Sequence, residues 1–199
     1  MTLFICVDYD GLAANMVKKA NNSAARLVQL LLRSIPGFRD TAVYEGRLIH
    51  IYKRVQILVG DIWAAYGKAT SIQRADGGTN IYFFHDLQKV TMFADYRIPQ
   101  LLRNMNIMEY SQDLGRRVDA YEEIMFGSQE EVEIRACTVI AVEKLKAVCN
   151  RILQEDAAAA GVVMPRPLLS IELDWLLWNQ GEKCKDEIKP HHRTLTIYY

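Results

Sequence analysis

The segment SQEEVEIRACTVIAVEKLKAVCNRILQ, residues 128–154, decides the fold class of this chain. Ser128 followed three residues later by Glu131 is the capping-box pattern that marks the start of a helix. No Gly or Pro interrupts the segment, and its apolar residues cover more than one helical face. The sequence therefore predicts a long helix that lies at the centre of the core.

Helices are predicted on both sides of this segment from apolar spacing, caps and helix-breaking residues. Pro36-Gly37 and Gly67 are expected to end the first two, Pro99 suits a first helical turn, and Ser111 is a candidate N-cap. The expected ranges are 15–35, 51–66, about 99–104, about 111–121 and 168–180. The fold class is therefore mainly α, in a single domain over residues 1–199.

The remaining segments are short and predict few β elements. Residues 38–49 are expected to be a connector, 68–80 an exposed polar loop, and 156–164 a helix end plus linker. Residues 81–84 and 91–94 are apolar and too short to decide between a strand and buried irregular chain. Residues 195–199 alternate, which fits either one short strand or an ordered terminus that packs on the body.

The composition restricts the partners of the chain. Lys plus Arg and Asp plus Glu both number 24, so there is no net field that would attract the chain to nucleic acid or to an anionic membrane. No secretory signal and no membrane-spanning run is expected. The cysteines lack Cys-x-x-Cys spacing and are interpreted as reduced thiols, with no metal site. They are Cys6, Cys137, Cys149 and Cys184.

Residues 84–100 are the most unusual stretch, because Asp86 and Asp95 stand among aromatic residues there. A carboxylate in apolar surroundings is costly unless it is paired or used in chemistry. Asp95 comes just before a predicted helix start and two residues before Arg97. It can therefore cap that helix, pair with Arg97, or serve a reaction.

The last predicted helix carries a second constellation. Asp174 and Trp178 share one face, as do Trp175 and Asn179. An acid and two tryptophans could clamp a flat heterocycle, and the same residues would equally suit a core helix with aromatic packing. The run His191-His192-Arg193 lacks companion ligands at metal spacing, so it is expected to be structural or to help bind a phosphate.

Several strings taken together resemble the queuosine salvage protein family. They are YKRVQILVGD at 52–61, TMFADYRIPQ at 91–100, EVEIRA at 131–136, the pairs 173–174 and 177–178, and the terminal His-Arg…Ile-Tyr-Tyr199. They occur in the family's order from about residue 21 to residue 199. The resemblance implies a fold like that of helical DNA glycosylases and an N-glycosylase that hydrolyses queuosine 5'-phosphate. The released queuine would be reinserted into tRNA by a separate enzyme.

The resemblance also implies site residues. Asp95 would be the nucleophile or transition-state stabiliser and Phe93 would contact the base. Asp174, Trp175 and Asn179 would be further queuine contacts. Candidates for a phosphate or supporting role are Asp86, Arg97, His192 and Arg193. No cofactor, metal, nucleic acid or membrane is expected, the location would be cytoplasmic and also nuclear, and the oligomeric state is open.

The chain departs from the family pattern at three places. Trp175 stands where Tyr is common, Asn179 stands where Asp is common, and the family's N-terminal region is expected to be missing. A shortened member could bind queuine or a related nucleoside without turnover, which is the alternative to hydrolysis. A lesion-DNA glycosylase is suggested by fold analogy alone, and the neutral charge argues against it.

Overall fold

A computed structural model describes residues 7–68, 78–163 and 166–199. The chain is mainly helical with one two-stranded sheet among these residues, which confirms the predicted fold class. It divides into two compact units, unit 1 (Met1–Asp40 and Tyr52–Val90) and unit 2 (Thr41–Ile51 and Thr91–Tyr199). The single domain over 1–199 stays a prediction. Within the described ranges, no helix combines the length and apolarity that a membrane crossing requires.

The described part of unit 1 contains helices α1 (Ala13–Lys19), α2 (Ala24–Ser34) and α3 (Lys53–Ile62). Helix α2 packs on α3 and on two short 3₁₀ turns, Pro36–Phe38 and Leu87–Lys89. The buried apolar residues of α2 recur at helical spacing, which places them on one face of this helix. The core of this unit includes Val17, Ala24, Leu27, Leu31, Val55, Val59 and Trp63.

The predicted single helix over 15–35 is wrong, because the chain forms α1 and α2 with a break between them. Asn21 and Asn22 have φ values of +51° and +58°, a left-handed conformation that asparagine tolerates better than most residues. The Asn22 amide donates to the carbonyl oxygens of Asn80 (2.8 Å) and Phe83 (2.6 Å). These bonds to distant residues stabilise a break that apolar spacing cannot reveal.

Helix α3 continues as a π-helical turn over Trp63–Gly67. The helical region therefore ends at Gly67, the residue that was predicted to end it. A Cβ atom on Gly67 would lie 2.0 Å from the carbonyl oxygen of Tyr82, so no larger residue fits there. Most of the predicted polar loop, residues 69–77, lies outside the described residues. Residues 81–84 form no strand and are irregular, which settles the alternative that the sequence left open.

Unit 2 begins with a hairpin that the sequence interpretation had as a connector. Strands β1 (Thr41–Tyr44) and β2 (Arg47–His50) pair antiparallel with Thr41 opposite His50. Glu45 and Gly46 both have positive φ, as a two-residue type I' turn requires. The strands were missed because β2 is mostly exposed and lacks the alternation of a half-buried strand.

Further helices follow in the described part of unit 2. They are α4 (Arg97–Asn104), α5 (Gln112–Asp119), α6 (Gln129–Ala159) and α7 (Ser170–Cys184). The predicted caps are confirmed, since the hydroxyl of Ser111 accepts from the Leu114 amide and that of Ser128 from the Glu131 amide. The tail at 195–199 forms no strand, so of the two predicted alternatives the ordered terminus is the one that the structure has.

Helix α6 is central only over its first half. Its residue Val142 joins Met92, Ala94, Ile98, Leu102 and Leu173 in one apolar cluster of unit 2, and α4 packs on both α6 and α7. Further along α6, Val148 and Ile152 are nearly half exposed, so the predicted position at the centre of the core applies to the first half of the helix. The helix runs on to Ala159, and residues 151–156 are all exposed.

Candidate functional site

The carboxylate of Asp95 is buried at the start of α4. The side chain is 7% exposed, and Oδ1 accepts from the backbone amides of Arg97 (3.0 Å) and Ile98 (3.1 Å). The capping interpretation of Asp95 is therefore correct. Capping and chemistry are compatible, because amide donors stabilise the ionised form of the carboxylate that either role uses.

The peptide before Asp95 is held by the last helix. The buried carboxylate of Asp174 accepts from the backbone amide of Phe93 at 2.7 Å. This contact joins residues 81 positions apart in the chain. Asp174 thus aligns the segment that carries Asp95, whatever further contacts it makes.

A buried ion pair on α6 holds the next peptide. The guanidinium of Arg135 donates from Nε to the carbonyl oxygen of Ala94 (3.2 Å) and from NH1 to Oε1 of Glu131 (3.2 Å). Both side chains of the pair are fully buried. Glu131 also accepts from the Gly127 amide (3.2 Å), so its second oxygen is bonded as well.

The C-terminal tail completes this network. The Tyr199 hydroxyl lies 2.9 Å from Oε1 of Glu131 and 3.0 Å from Nε2 of His192. Burial, then the nearby charges of His191 and Arg135, lowers the pKa of His192 to about 3. His192 is therefore neutral at pH 7 and contributes hydrogen bonds rather than charge.

Arg97 points away from the carboxylate it follows. Its Nε donates to Oε1 of Glu182 at 2.6 Å, and NH1 bonds the side chain of Gln100. The hydrogen bond from Arg97 lowers the pKa of Glu182. Gly181 makes room for this arginine, since a Cβ there would lie 2.8 Å from Cγ of Arg97. The pairing of Arg97 with Glu182 ties α4 to α7.

The candidate Phe93 is buried, whereas three other candidates of unit 2 are more accessible. On α7, Trp175 is half-buried and Asn179 is exposed, and the Asn179 amide donates to the Trp175 carbonyl at 2.7 Å. Arg193 is exposed, with its guanidinium 4.4 Å from the centre of the Tyr121 ring. These three side chains present polar or aromatic groups toward solvent, where a ligand can reach them.

Asp86 belongs to unit 1 and has a structural task there. Its carboxylate accepts from the Ser23 hydroxyl (2.8 Å) and the amides of Ala24 (2.6 Å) and Ala25 (3.4 Å) at the start of α2. Burial raises the pKa of Asp86, but the hydrogen bonds from Ser23, Ala24 and Ala25 outweigh it and the pKa is lowered. Its predicted role at a phosphate stays a prediction.

A cavity of about 600 Å³ in unit 2 lies beside α5 and α6. Its walls come from residues 108–111, 114, 128–130, 133, 134 and 137. None of the candidate residues lines it. This cavity is therefore distinct from the surroundings of Asp95.

The family model described as "Queuosine salvage protein" matches residues 2–199. The chain belongs to the queuosine salvage protein family. It is 41% identical to a protein from Dictyostelium discoideum named queuosine 5'-phosphate N-glycosylase/hydrolase, over 96% of this chain and 53% of that protein. Proteins of the same name from Sphaerobacter thermophilus and Mus musculus are each 37% identical, over 96% of this chain and 52% and 53% of theirs. The chain thus spans about half the length of the relatives it matches.

Sequence reasoning assigned no role to Arg135 or Tyr199 and gave Glu131 only its place in the capping box, although all three stand in the strings that carry the family resemblance. One signal was available. Glu131 and Arg135 lie four residues apart on the α6 face that also carries buried Val132, Ile134 and Val142. A charged pair at core positions of a helix is costly unless it is bonded, and therefore marks a site to inspect.

Proposed function

We propose that this member of the queuosine salvage protein family hydrolyses the N-glycosidic bond of queuosine 5'-phosphate and releases queuine. The observation that carries the proposal is the state of Asp95. Its carboxylate is buried and bonded to two amides, and Asp174 and Arg135 bond the backbone of the two residues that precede it. The names of the relatives support the substrate.

In the proposed reaction, Asp95 acts on the sugar. Cleavage of an N-glycosidic bond passes through a transition state in which the ribose resembles an oxocarbenium ion. A carboxylate held under the anomeric carbon stabilises that positive charge or attacks it, and water then completes the hydrolysis. A carboxylate with restricted motion does this best, because no reorganisation is needed as the charge develops.

The base needs help to leave. Queuine is a 7-deazaguanine, so it has no ring nitrogen at position 7 that could accept a proton. Hydrogen bonds to its carbonyl and pyrimidine edge are then the means of stabilising the departing base. We assign Phe93 and Trp175 to stacking on the base, and Asp174 and Asn179 to polar contacts with it.

The 5'-phosphate requires cationic or N–H partners. Arg193 is the most accessible of the predicted candidates, because this residue is exposed whereas Asp86, Arg97 and His192 are buried. Arg97 is engaged by Glu182 and Gln100, so we assign it a supporting role. His192 is neutral and buried, and we assign it a supporting role through Tyr199.

We further propose that the substrate is a free nucleotide and that the queuine serves tRNA modification. Equal numbers of basic and acidic residues argue against binding to a nucleic acid backbone. Cys137, Cys149 and Cys184 are free thiols, as in proteins of a reducing compartment. We therefore place the protein in the cytoplasm and also in the nucleus.

Incubation of the purified chain with queuosine 5'-phosphate, followed by chromatography for free queuine, tests the proposal. Release by the wild-type chain and its loss in Asp95→Asn would support it. Stabilisation of the chain by queuine without any release would instead identify a binding protein without turnover. If the chain neither releases queuine nor is stabilised by it, both functions are refuted.

A further inference from the structure

We propose that Arg135 is a positioning residue for the reaction, which orients Asp95 by holding the carbonyl oxygen of Ala94. This inference rests on the proposed function, because it explains how that carboxylate is aimed. Arg135 does not need to touch the substrate for this role. It acts through the peptide that joins Ala94 to Asp95.

The geometry of the segment gives Arg135 this influence. The carbonyl of Ala94 belongs to the peptide directly before Asp95, so its direction sets the plane from which the Asp95 side chain departs. Arg135 bonds that oxygen at 3.2 Å from a position 41 residues further along the chain. Asp174 holds the Phe93 amide, and the start of α4 holds Oδ1 of Asp95. The peptide between these two anchors is thus fixed by the guanidinium.

The guanidinium is itself held in one orientation. Its NH1 donates to Glu131 and its Nε donates to Ala94. The planar guanidinium can make both bonds at once because its N–H groups point in different fixed directions. The guanidinium carbon lies 5.1 Å from the centre of the Tyr199 ring. A lysine at position 135 keeps the charge but cannot reproduce two divergent bonds from one rigid plane.

The tail extends this support in a defined direction. An ionised Glu131 only accepts hydrogen bonds, so the Tyr199 hydroxyl must donate to it. The oxygen of Tyr199 then accepts from Nε2–H of His192. The chain of donors therefore runs from His192 through Tyr199 to Glu131, and it keeps the acceptor of Arg135 in place.

A purely structural ion pair is the competing explanation. Removing one partner of a buried pair leaves the other charge buried and uncompensated, and that alone would reduce the folded fraction. The two explanations differ in turnover per folded molecule. A structural role leaves turnover unchanged in the molecules that fold, whereas a positioning role lowers kcat and leaves KM nearly as it was.

The test compares Arg135→Lys with Arg103→Lys as the matched control. Arg103 forms a two-bond ion pair with Asp119 in the same unit, at 2.6 and 3.0 Å. We expect kcat for queuine release to fall about 10–100-fold in Arg135→Lys with KM changed by less than about threefold, because small misplacement of a reacting group has this effect. In Arg103→Lys, kcat of the folded protein should stay at the wild-type value.

Hydrogen exchange supplies a readout that needs no activity. In Arg135→Lys the amides of Arg97 and Ile98, which bond Asp95, should exchange faster while the amides within α5 keep their rates. If Arg135→Lys fails to fold, Tyr199→Phe replaces it, since that variant removes one hydroxyl contact to Glu131. For Tyr199→Phe a kcat decrease of about two- to tenfold is expected from the loss of one hydrogen bond.

Wild-type kcat in folded Arg135→Lys, or an equal loss in the Arg103→Lys control, would overturn the positioning role. If the wild-type chain releases no queuine, the proposed function fails and the exchange experiment decides about Arg135 alone. Faster exchange confined to Arg97 and Ile98 would then still support the role. Unchanged exchange there would refute it.

Discussion

Asp86 and Asp95 are both buried aspartates at helix starts, but they are held in opposite ways. Asp86 uses its two oxygens to bond Ser23, Ala24 and Ala25, more than 60 residues away in the chain. Asp95 bonds the amides of the two residues that begin its own helix, and distant side chains hold the backbone around it. Asp86 is thus a cross-link, whereas Asp95 is the residue that other residues position.

This difference shows why burial of a carboxylate does not by itself identify a catalytic group. A cross-linking carboxylate has its oxygens turned toward the groups that it joins. A carboxylate that is aimed for chemistry needs support that comes from its backbone, so that its position does not depend on the reacting group. The two aspartates can therefore be separated by variants that affect activity and stability differently.

The largest expected effect is on activity and concerns Asp95→Asn. Loss of the charge should lower queuine release by about 10²–10³-fold or more, because it removes stabilisation of the developing cation. Asparagine is itself a good helix cap, so the free energy of unfolding should change by less than about 1 kcal/mol. Chromatographic rates and a thermal melt measure both quantities.

Asp86→Asn is the matched control for that experiment. Its release rate per folded molecule should remain within about twofold of wild type, since a cap affects stability rather than transition-state binding. A large loss of release in Asp86→Asn with an unchanged melt would contradict the comparison. It would support the predicted role of Asp86 at the phosphate instead.

The next largest effect is on stability and concerns Asp86→Ala. The variant removes the acceptor of the Ser23 hydroxyl and the Ala24 amide, and we expect it to destabilise the chain by about 2–3 kcal/mol. Urea unfolding followed by circular dichroism measures this loss. Destabilisation below about 0.5 kcal/mol would show that Asp86 does not act as the cross-link described here.

A smaller effect is expected for Gly181→Ala, which tests the surroundings of Asp95 through Arg97. The new Cβ would lie 2.8 Å from Cγ and 3.0 Å from Cδ of Arg97, whose guanidinium is bonded to Glu182. The crowding should outweigh the better helix propensity of alanine and destabilise the chain by about 1–2 kcal/mol.

Gly115→Ala in α5 is the control for that variant. A Cβ atom at this position would lie 3.3 Å from the NH2 atom of Arg103, which is the end of a flexible side chain, and 3.9 Å from Cβ of Tyr110. The change should therefore be nearly neutral or stabilising. Thermal melts of the two variants compare them directly. Equal melting temperatures would mean that the Arg97 side chain moves to accommodate the new Cβ atom without loss of stability.

The smallest effect is the pH dependence of the Asp86 contribution. Because hydrogen bonds outweigh burial and lower its pKa in the folded chain, ionised Asp86 stabilises the fold above the unfolded pKa, and this stability is lost as pH falls through the folded pKa. The gap in unfolding free energy between wild type and Asp86→Asn, about 1 kcal/mol at pH 7, should therefore shrink below about pH 4. Urea titrations at pH 7 and pH 3 measure the gap, and an increase at low pH would reverse the assigned sign.

Local signals predicted much of unit 2 from the sequence. Ser111 and Ser128 cap the helices they were expected to cap, and Pro99 lies in the first turn of α4. The capping of α4 by Asp95 was one of the alternatives that the sequence left open. These features depend on residues within one helical turn of each other, and sequence spacing reports such neighbours directly.

The predicted and observed elements differ where the structure depends on more than apolar spacing within one segment. The break at Asn22 depends on acceptors at 80 and 83. The hairpin depends on the positive φ values of Glu45 and Gly46 in its turn, and its second strand is mostly exposed. In the far half of α6, the apolar residues Val148, Ile152 and Leu153 are nearly half exposed. Apolar periodicity reveals none of these causes, because it describes the average pattern of one segment and carries no information about the residues that this segment contacts.

The sequence alone determined the mainly helical class, the family to which the chain belongs, and Asp95 as the leading candidate for chemistry. Only the tertiary structure decided what holds that carboxylate, because Asp174, Arg135 and Ala94 meet through folding and not through spacing. The physical reason is that helix formation depends on neighbours in the chain, whereas the orientation of a buried peptide depends on donors that the fold brings to it from 41 and 81 residues away.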